Sequence, residues 1–298
     1  MAGAWLAAII IVTALVLSRS LGGDFLLDDH PQISGNPYLG SWSFAWNSLT
    51  RSVDWYLQST TAAQHFYRPM FNFWLTLCFH LFGLHPAGWR AAIIAVHLLV
   101  VWLVFRIASL LSADRLAALG AAALFALMPI HTQGIIWPSA ASSALSTAFQ
   151  LTAFEFYLRA AANGVSGSLR LRRIGISLLL LFGALMAYEA AAALPLIIAA
   201  YAFIFAQDGI DSSRTRFTNH AYAAFAAAWP YALEVGVYLV LRHRVMGSAL
   251  KGVLSPRWLR SHPGLGGGPS CPRLFPNLAV VSGGACDTVG YRSSPLRY

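Results

Sequence analysis

The first 17 residues hold no charged side chain, and apolar stretches return at residues 86–105, 116–127, 138–158, 174–187, 190–206 and 221–241. A helix needs about 20 apolar residues to cross a hydrocarbon core of about 30 Å, at a rise of about 1.5 Å per residue. The pattern predicts an all-α polytopic membrane protein with about seven transmembrane helices. Composition agrees: the 298 residues are 57% hydrophobic and 10% charged, with mean hydropathy +0.60, whereas soluble domains carry about 25% charged residues. The first stretch is short, yet it lacks a charged start and an Ala-x-Ala cleavage pattern. We read it as a first transmembrane helix extended by residues 18–21, not as a signal peptide.

The formal charge of +9 does not point to nucleic acid. Residues 1–246 carry 14 arginines against 10 acids, and residues 247–298 carry six bases and one acid. No basic stripe with interleaved aromatics occurs, so no nucleic-acid partner is expected. Cys78, Cys271 and Cys286 lie too far apart in sequence to suggest a zinc site or a disulfide framework.

Two chain features set the expected topology. As one helix, residues 174–206 would be roughly 50 Å long, too long for the bilayer, so the chain is expected to fold back near Tyr188-Glu189. Arg159, Arg170, Arg172 and Arg173 crowd the preceding connection, which the positive-inside rule assigns to the cytoplasm. Counting back puts the N-terminus in the cytoplasm and makes residues 22–85 a long external loop. Its aromatics, among them Trp42, Trp46, Trp55, Phe66 and Tyr67, predict short helices lying in the headgroup region, and residues 71–82 are expected to lie at the interface. Residues 1–247 thus read as one transmembrane domain. From Lys251 the apolar pattern gives way to Gly, Pro and Ser, so residues 248–298 read as a disordered or out-of-frame tail.

The polar groups that could carry chemistry sit in the expected external loops. Asp24-Phe25-Leu26-Leu27-Asp28-Asp29-His30-Pro31 follows the first span. One of two neighbouring carboxylates can act as general base toward a hydroxyl while the other orients it; a plain turn with a helix cap explains the same residues. Arg68, in Tyr67-Arg68-Pro69, can pair with a phosphate oxygen at the interface or simply reach toward headgroups. Arg90, near the outer end of the second span, has the same two readings. His131 and Glu189 fall in the next two external loops, so three loops could converge on one cavity; a hydrogen-bonding surface histidine and a helix cap are the milder accounts. His97 and Glu234 lie in mid-span, where polar groups are costly.

Taken in order, the Asp-Asp loop with Asn36-Pro37, Tyr67-Arg68-Pro69, Phe82-Gly83-Leu84-His85-Pro86-Ala87-Gly88 and a span containing His97 resemble the GT-C superfamily of membrane glycosyltransferases. The likeness is to protein O-mannosyltransferases and their relatives carrying tetratricopeptide repeats, including bacterial homologues. Leu124-Phe125-Ala126-Leu127-Met128-Pro129-Ile130-His131-Thr132-Gln133 and Ala187-Tyr188-Glu189 with Pro195 extend it over roughly residues 5–247. Met128, Gln133 and Tyr188 stand where that family's segments carry His, Glu and Lys.

The resemblance implies transfer of a mannose-like sugar from a polyprenyl-phosphate donor to a protein or glycan acceptor on the external face. It implies Asp28 as catalytic base with Asp29 beside it and Arg68 toward the donor phosphate; the loop reading adds Arg90 on the phosphate side and Asp24, His131 and Glu189 in support. It also implies a multi-pass protein of a bacterial inner membrane, in contact with lipid. No cofactor or metal is expected, because two carboxylates alone are a poor cage for a divalent ion. The alternative reading is a non-catalytic or transport-related membrane protein, or an inactive fragment of such a transferase.

Overall fold

The computed structural model describes residues 2–56, 66–112, 114–205 and 213–247, so the expected tail at 248–298 lies outside the described residues. Among them every regular element is helical. The first helix, α1 (Ala2–Ser18), runs on through one 3-10 turn to Gly22. Only Leu6 and Thr13 of α1 are buried, and Leu6 meets Val101, Ala122 and Ala126. Those alanines let helix backbones approach closely, which drives packing where lipid removes the hydrophobic contrast.

In the described part of the first loop a π-helical turn at His30–Ser34 is followed by two short α-helices. The N-cap hydroxyl of Ser41 accepts from Ser43 N to start α2 (Trp42–Asn47), and Pro69 opens α3 (Pro69–Phe82), where its missing N–H costs nothing. Phe25, Ile33, Leu39, Phe44, Phe71 and Leu75 form a core beneath the loop. At 14 residues α3 is short for a span, as expected.

Helix α4 (Pro86–Ser112) is a full 27-residue span, and α5 (Arg115–Leu127) returns beside it, begun by Asp114, whose carboxylate accepts from Leu116 N at 2.8 Å. Met128 precedes Pro129 and adopts the extended backbone that a following proline favours, which ends α5. The chain turns by 48° into α6 (Thr132–Ile136), a broken or re-entrant segment.

The most extensive packing joins α7 (Ala141–Ala161) to α8 (Gly167–Ala187). Hydroxyls of α7 and α8 reach across to backbone carbonyls, Ser177 Oγ to Ala153 O at 2.6 Å and Ser146 Oγ to Ala184 O at 3.1 Å. The helix breaks where the fold-back is expected: Tyr188 is extended, a 3-10 turn covers Glu189–Ala193, and α9 (Leu194–Ile204) follows. Finally α10 (Ser213–Met246) packs on α9 and α8, burying Tyr231 and Tyr238.

Among the described residues three helical stretches are long and apolar enough to cross a membrane: Ala2–Gly22, Pro86–Ser112 and Phe217–Met246. A fourth is reached if Arg115–Leu127 and Pro129–Ile136 form one bent span, so the expected seven are not all matched. The reasons are local. Arg170, Arg172 and Arg173 belong to the first turns of α8, Glu155 and Arg159 interrupt α7, and the 190–206 stretch splits into a 3-10 turn and an 11-residue helix.

Cross-links divide the polar groups between two ends. The loop at 23–29 is tied to residues 137 and 139, and residue 68 is tied to residue 189. Elsewhere Arg106 and Arg159 share the buried carboxylate of Glu155, and Arg173 holds Arg159 O.

Candidate functional site: an anchored acidic loop, an arginine fork and a cavity

The two adjacent aspartates have opposite environments. Asp29 is fully buried, and its carboxylate accepts from Leu26 N at 2.9 Å, Ser139 N at 2.8 Å and Ser139 Oγ at 2.6 Å. It thereby stitches the loop to the turn that leads into α7, where free N–H groups favour a negative charge. Asp28 is exposed and forms no side-chain hydrogen bond or ion pair with the described residues. In the turn leading into the two aspartates, Leu27 has φ +42°, left-handed for a residue with a side chain. Trp137 Nε1 donates to Leu26 O at 3.2 Å, so Leu26 is held at both its N–H and its carbonyl.

Arg90 lies beneath the loop with 1% exposure. Its Nη1 donates to Gly23 O, its Nη2 to Asp24 O, and its Nε to Ile136 O at 3.1 Å. All three nitrogens are engaged, so Arg90 acts here as a clamp between the loop and the end of α6. Gly23 permits the approach: a Cβ there would stand 3.2 Å from Nη2. Asp24 contributes its carbonyl, while its residue stays exposed.

Arg68 is placed where the extended Tyr67-Arg68 segment enters α3. Its Nε donates to Glu189 Oε2 at 3.0 Å and its Nη2 to Oε1 at 2.9 Å, a parallel two-bond fork. The guanidinium also stacks on Phe66 at 4.3 Å and Tyr188 at 4.5 Å. Nη1 forms no hydrogen bond within the described residues. Burial pushes the Glu189 carboxyl up, but the Arg68 hydrogen bonds and charge, with the nearby positive charge of Arg242, outweigh it and hold the group below its ordinary value. Arg242 is buried one turn beyond Tyr238, whose hydroxyl donates to Tyr67 O at 3.3 Å.

A cavity of about 470 Å³ lies between these features. His131 lines it, packed on Phe125 at 4.3 Å, with His97, Gln133, Thr147 and Tyr188. Tyr188 is therefore shared: one wall of the cavity, and a platform for Arg68. Ser143, one turn past Ser139, lines the cavity too. The structure thus joins Arg68 to Glu189 directly and brings His131 to the cavity between that fork and the acidic loop. It does not bring Asp28 into contact with Arg68. Among the described residues no group of three or more His, Cys, Asp or Glu side chains is arranged to hold a metal ion.

Sequence reading missed Ser139 and Tyr188. Ser139 is one of five hydroxyl residues in the stretch 139–147 and does not stand out from Ser142, Ser143, Ser146 or Thr147, and Tyr188 looked like the loss of a lysine. A serine directly after a proline at a helix start was the available signal for the first.

No protein-family model matches the chain, and no solved structure matches it. Protein O-mannosyl-transferase Tmtc1 of Drosophila melanogaster is 29% identical over 175 residues, which is 58% of this chain and 20% of that relative. The chain therefore spans about a fifth of that relative's length. The similarity supports a distant relationship to that O-mannosyltransferase, in line with the motif resemblance. With its long apolar helices, the chain is a membrane protein.

Proposed function

We propose that the chain is a GT-C-type glycosyltransferase that moves a mannose-like sugar from a polyprenyl-phosphate donor to a protein or glycan hydroxyl. The observation that carries this reading is the division of labour in the acidic loop: Asp29 and Arg90 are consumed in fixing the loop, which leaves Asp28 exposed at its tip. The distant similarity to an O-mannosyltransferase supports the same class of chemistry.

In this reaction the Asp28 carboxylate takes the proton of the acceptor hydroxyl as its oxygen bonds to the sugar C1. The bond from C1 to the phosphate oxygen breaks, and polyprenyl phosphate leaves with the electron pair. Arg68 keeps Nη1 for that phosphate while Glu189 holds the other two nitrogens in plane. The lipid tail of the donor stays in the bilayer, so an interfacial guanidinium meets the phosphate at the right depth. The site faces the exterior in this reading, with the arginine-rich connection at 159–173 in the cytoplasm.

Transfer of labelled sugar from a polyprenyl-phosphate donor, measured in membranes carrying the chain, tests the reading. Activity that Asp28→Asn removes is expected; absence of transfer in the parent, or an unaffected Asp28→Asn, would overturn it. Accessibility labelling of Ser34→Cys and Ser168→Cys tests the orientation, which requires that the two label from opposite sides. The transport alternative drew on His97 and Glu234, but these sit apart, His97 in the cavity on α4 and Glu234 beside Tyr231 on α10.

A further inference from the structure

The cavity behind Tyr188 has a chemistry that the fork and the acidic loop do not share. Its lining, drawn entirely from described residues, includes no Asp, Glu, Lys or Arg. Two imidazole nitrogens, His97 Nε2 and His131 Nε2, are buried and lack any hydrogen-bond partner, and His97 is only 4% exposed. Buried polar atoms are ordinarily satisfied, so a matched pair left open in one cavity points to a ligand that satisfies both. The two rings stand 5.8 Å apart, and Phe125 packs against each, 5.7 Å from His97 and 4.3 Å from His131.

The kind of ligand follows from the atoms offered. Each Nε2 accepts or donates according to its tautomer, so the pair asks for a ligand whose groups can do either, as hydroxyls can. No cation lines the cavity to attract an anion. A metal ion would find two imidazoles and no carboxylate or thiolate among the lining residues, short of the ligand set of ordinary protein sites. A neutral ring bearing several hydroxyls fits on all counts: it hydrogen-bonds both histidines whichever tautomer each holds, exchanges hydrogen bonds with Gln133 and Thr147, and lays its carbon framework on Phe125. At about 470 Å³ the space is within the usual range for a small-molecule pocket.

We propose that this cavity is a subsite for one neutral hexopyranose ring, with His97 and His131 as hydrogen-bond partners of its hydroxyls. The proposal rests on the transferase reading for the identity of the ring as the sugar that is moved. Tyr188 then separates two jobs, uncharged sugar on one side and phosphate-facing Arg68 on the other.

The test uses the full chain in lipid nanodiscs and saturation-transfer NMR with methyl α-mannopyranoside as probe. Saturation transfer to the mannoside is expected, with neither inorganic phosphate nor cyclohexylmethanol competing. Removing one imidazole in His97→Phe or His131→Phe should weaken binding about tenfold, the effect of one lost hydrogen bond of ordinary strength. Ala144→Leu keeps both imidazoles and fills the space, so it should also abolish the signal while the protein still melts cooperatively. Equal binding in all variants, no binding in the parent, or displacement by phosphate would overturn the proposal. A parallel transfer assay separates the two readings: transfer without mannoside binding removes the subsite alone, and mannoside binding without transfer removes the catalytic reading alone.

Discussion

Arg68 and Glu189, 121 residues apart in the chain, close a planar fork whose two bonds measure 3.0 and 2.9 Å. Both side chains are less than one-fifth exposed, at 16% and 19%. Removing one partner of so sheltered a pair strands the other, which costs about 3 kcal/mol, whereas removing both costs less. Arg68→Ala and Glu189→Ala are each expected to lower the unfolding midpoint more than a paired Arg68→Met, Glu189→Met replacement does. Thermal melts of the four proteins in one detergent check this.

The same pair gives a pH dependence of defined sign. The folded Glu189 carboxyl lies below its ordinary value of 4.5, so its contribution is complete above that value and is lost as pH falls through the folded value. Stability should therefore decline on acidification below about pH 4.5, and Glu189→Gln should flatten that decline. A Glu189→Gln variant with an unchanged acid limb would show that the fork does not carry it.

Asp28 and Asp29 should separate cleanly in mutagenesis. Asp29→Ala removes three hydrogen bonds from a buried carboxylate and is expected to cost about 2–4 kcal/mol. Ser139→Ala should share part of that loss. Asp28→Asn should leave the melt unchanged and reduce sugar transfer at least about a hundredfold.

Arg90 provides a third test, because its charge is spread over three carbonyls. A lysine brings one nitrogen to a site that uses three, so Arg90→Lys is expected to destabilise by about 2–3 kcal/mol. Gly23→Ala should have a milder effect of the same kind, since its Cβ would press on the guanidinium at 3.2 Å. Protease sensitivity of the loop at 23–29 is the direct readout.

Leu27 holds a left-handed backbone and is 75% exposed, so its side chain contributes little packing. Leu27→Gly should stabilise the fold by up to about 1 kcal/mol by relieving the strain. It should also slow transfer, because the strained peptide aims the residue that follows it. Faster transfer in Leu27→Gly would contradict that positioning role.

Much of this was readable from the residues one stretch at a time. The break at Tyr188-Glu189 followed from helix length against bilayer thickness, and the acidic loop was singled out by its place after an uncharged helix. The roles of Asp28 and Asp29 were not readable, since adjacent identical side chains differ only through the register of the turn, which Ser139 fixes from a distant part of the chain. The three carbonyl partners of Arg90 were not readable for a related reason: an arginine near a span end looks the same in sequence whether it faces phosphate or backbone carbonyls. The span count exceeded the qualifying helices because apolar windows do not register a bend such as the 48° turn before α6.

The distance in sequence between Asp29 and Ser139 has a further consequence for how the protein is made. Their contact bridges 110 residues, so the loop emerges from the ribosome well before its anchor exists. At about 5–20 residues per second, synthesis leaves the acidic loop without its partner for on the order of ten seconds. During that interval the loop has only its internal bonds and the Arg90 clamp, and neither Trp137 nor Ser139 is there to fix the turn around Leu27. A chain halted before α7 would hold every acid of the loop in its correct sequence and still be unable to present Asp28.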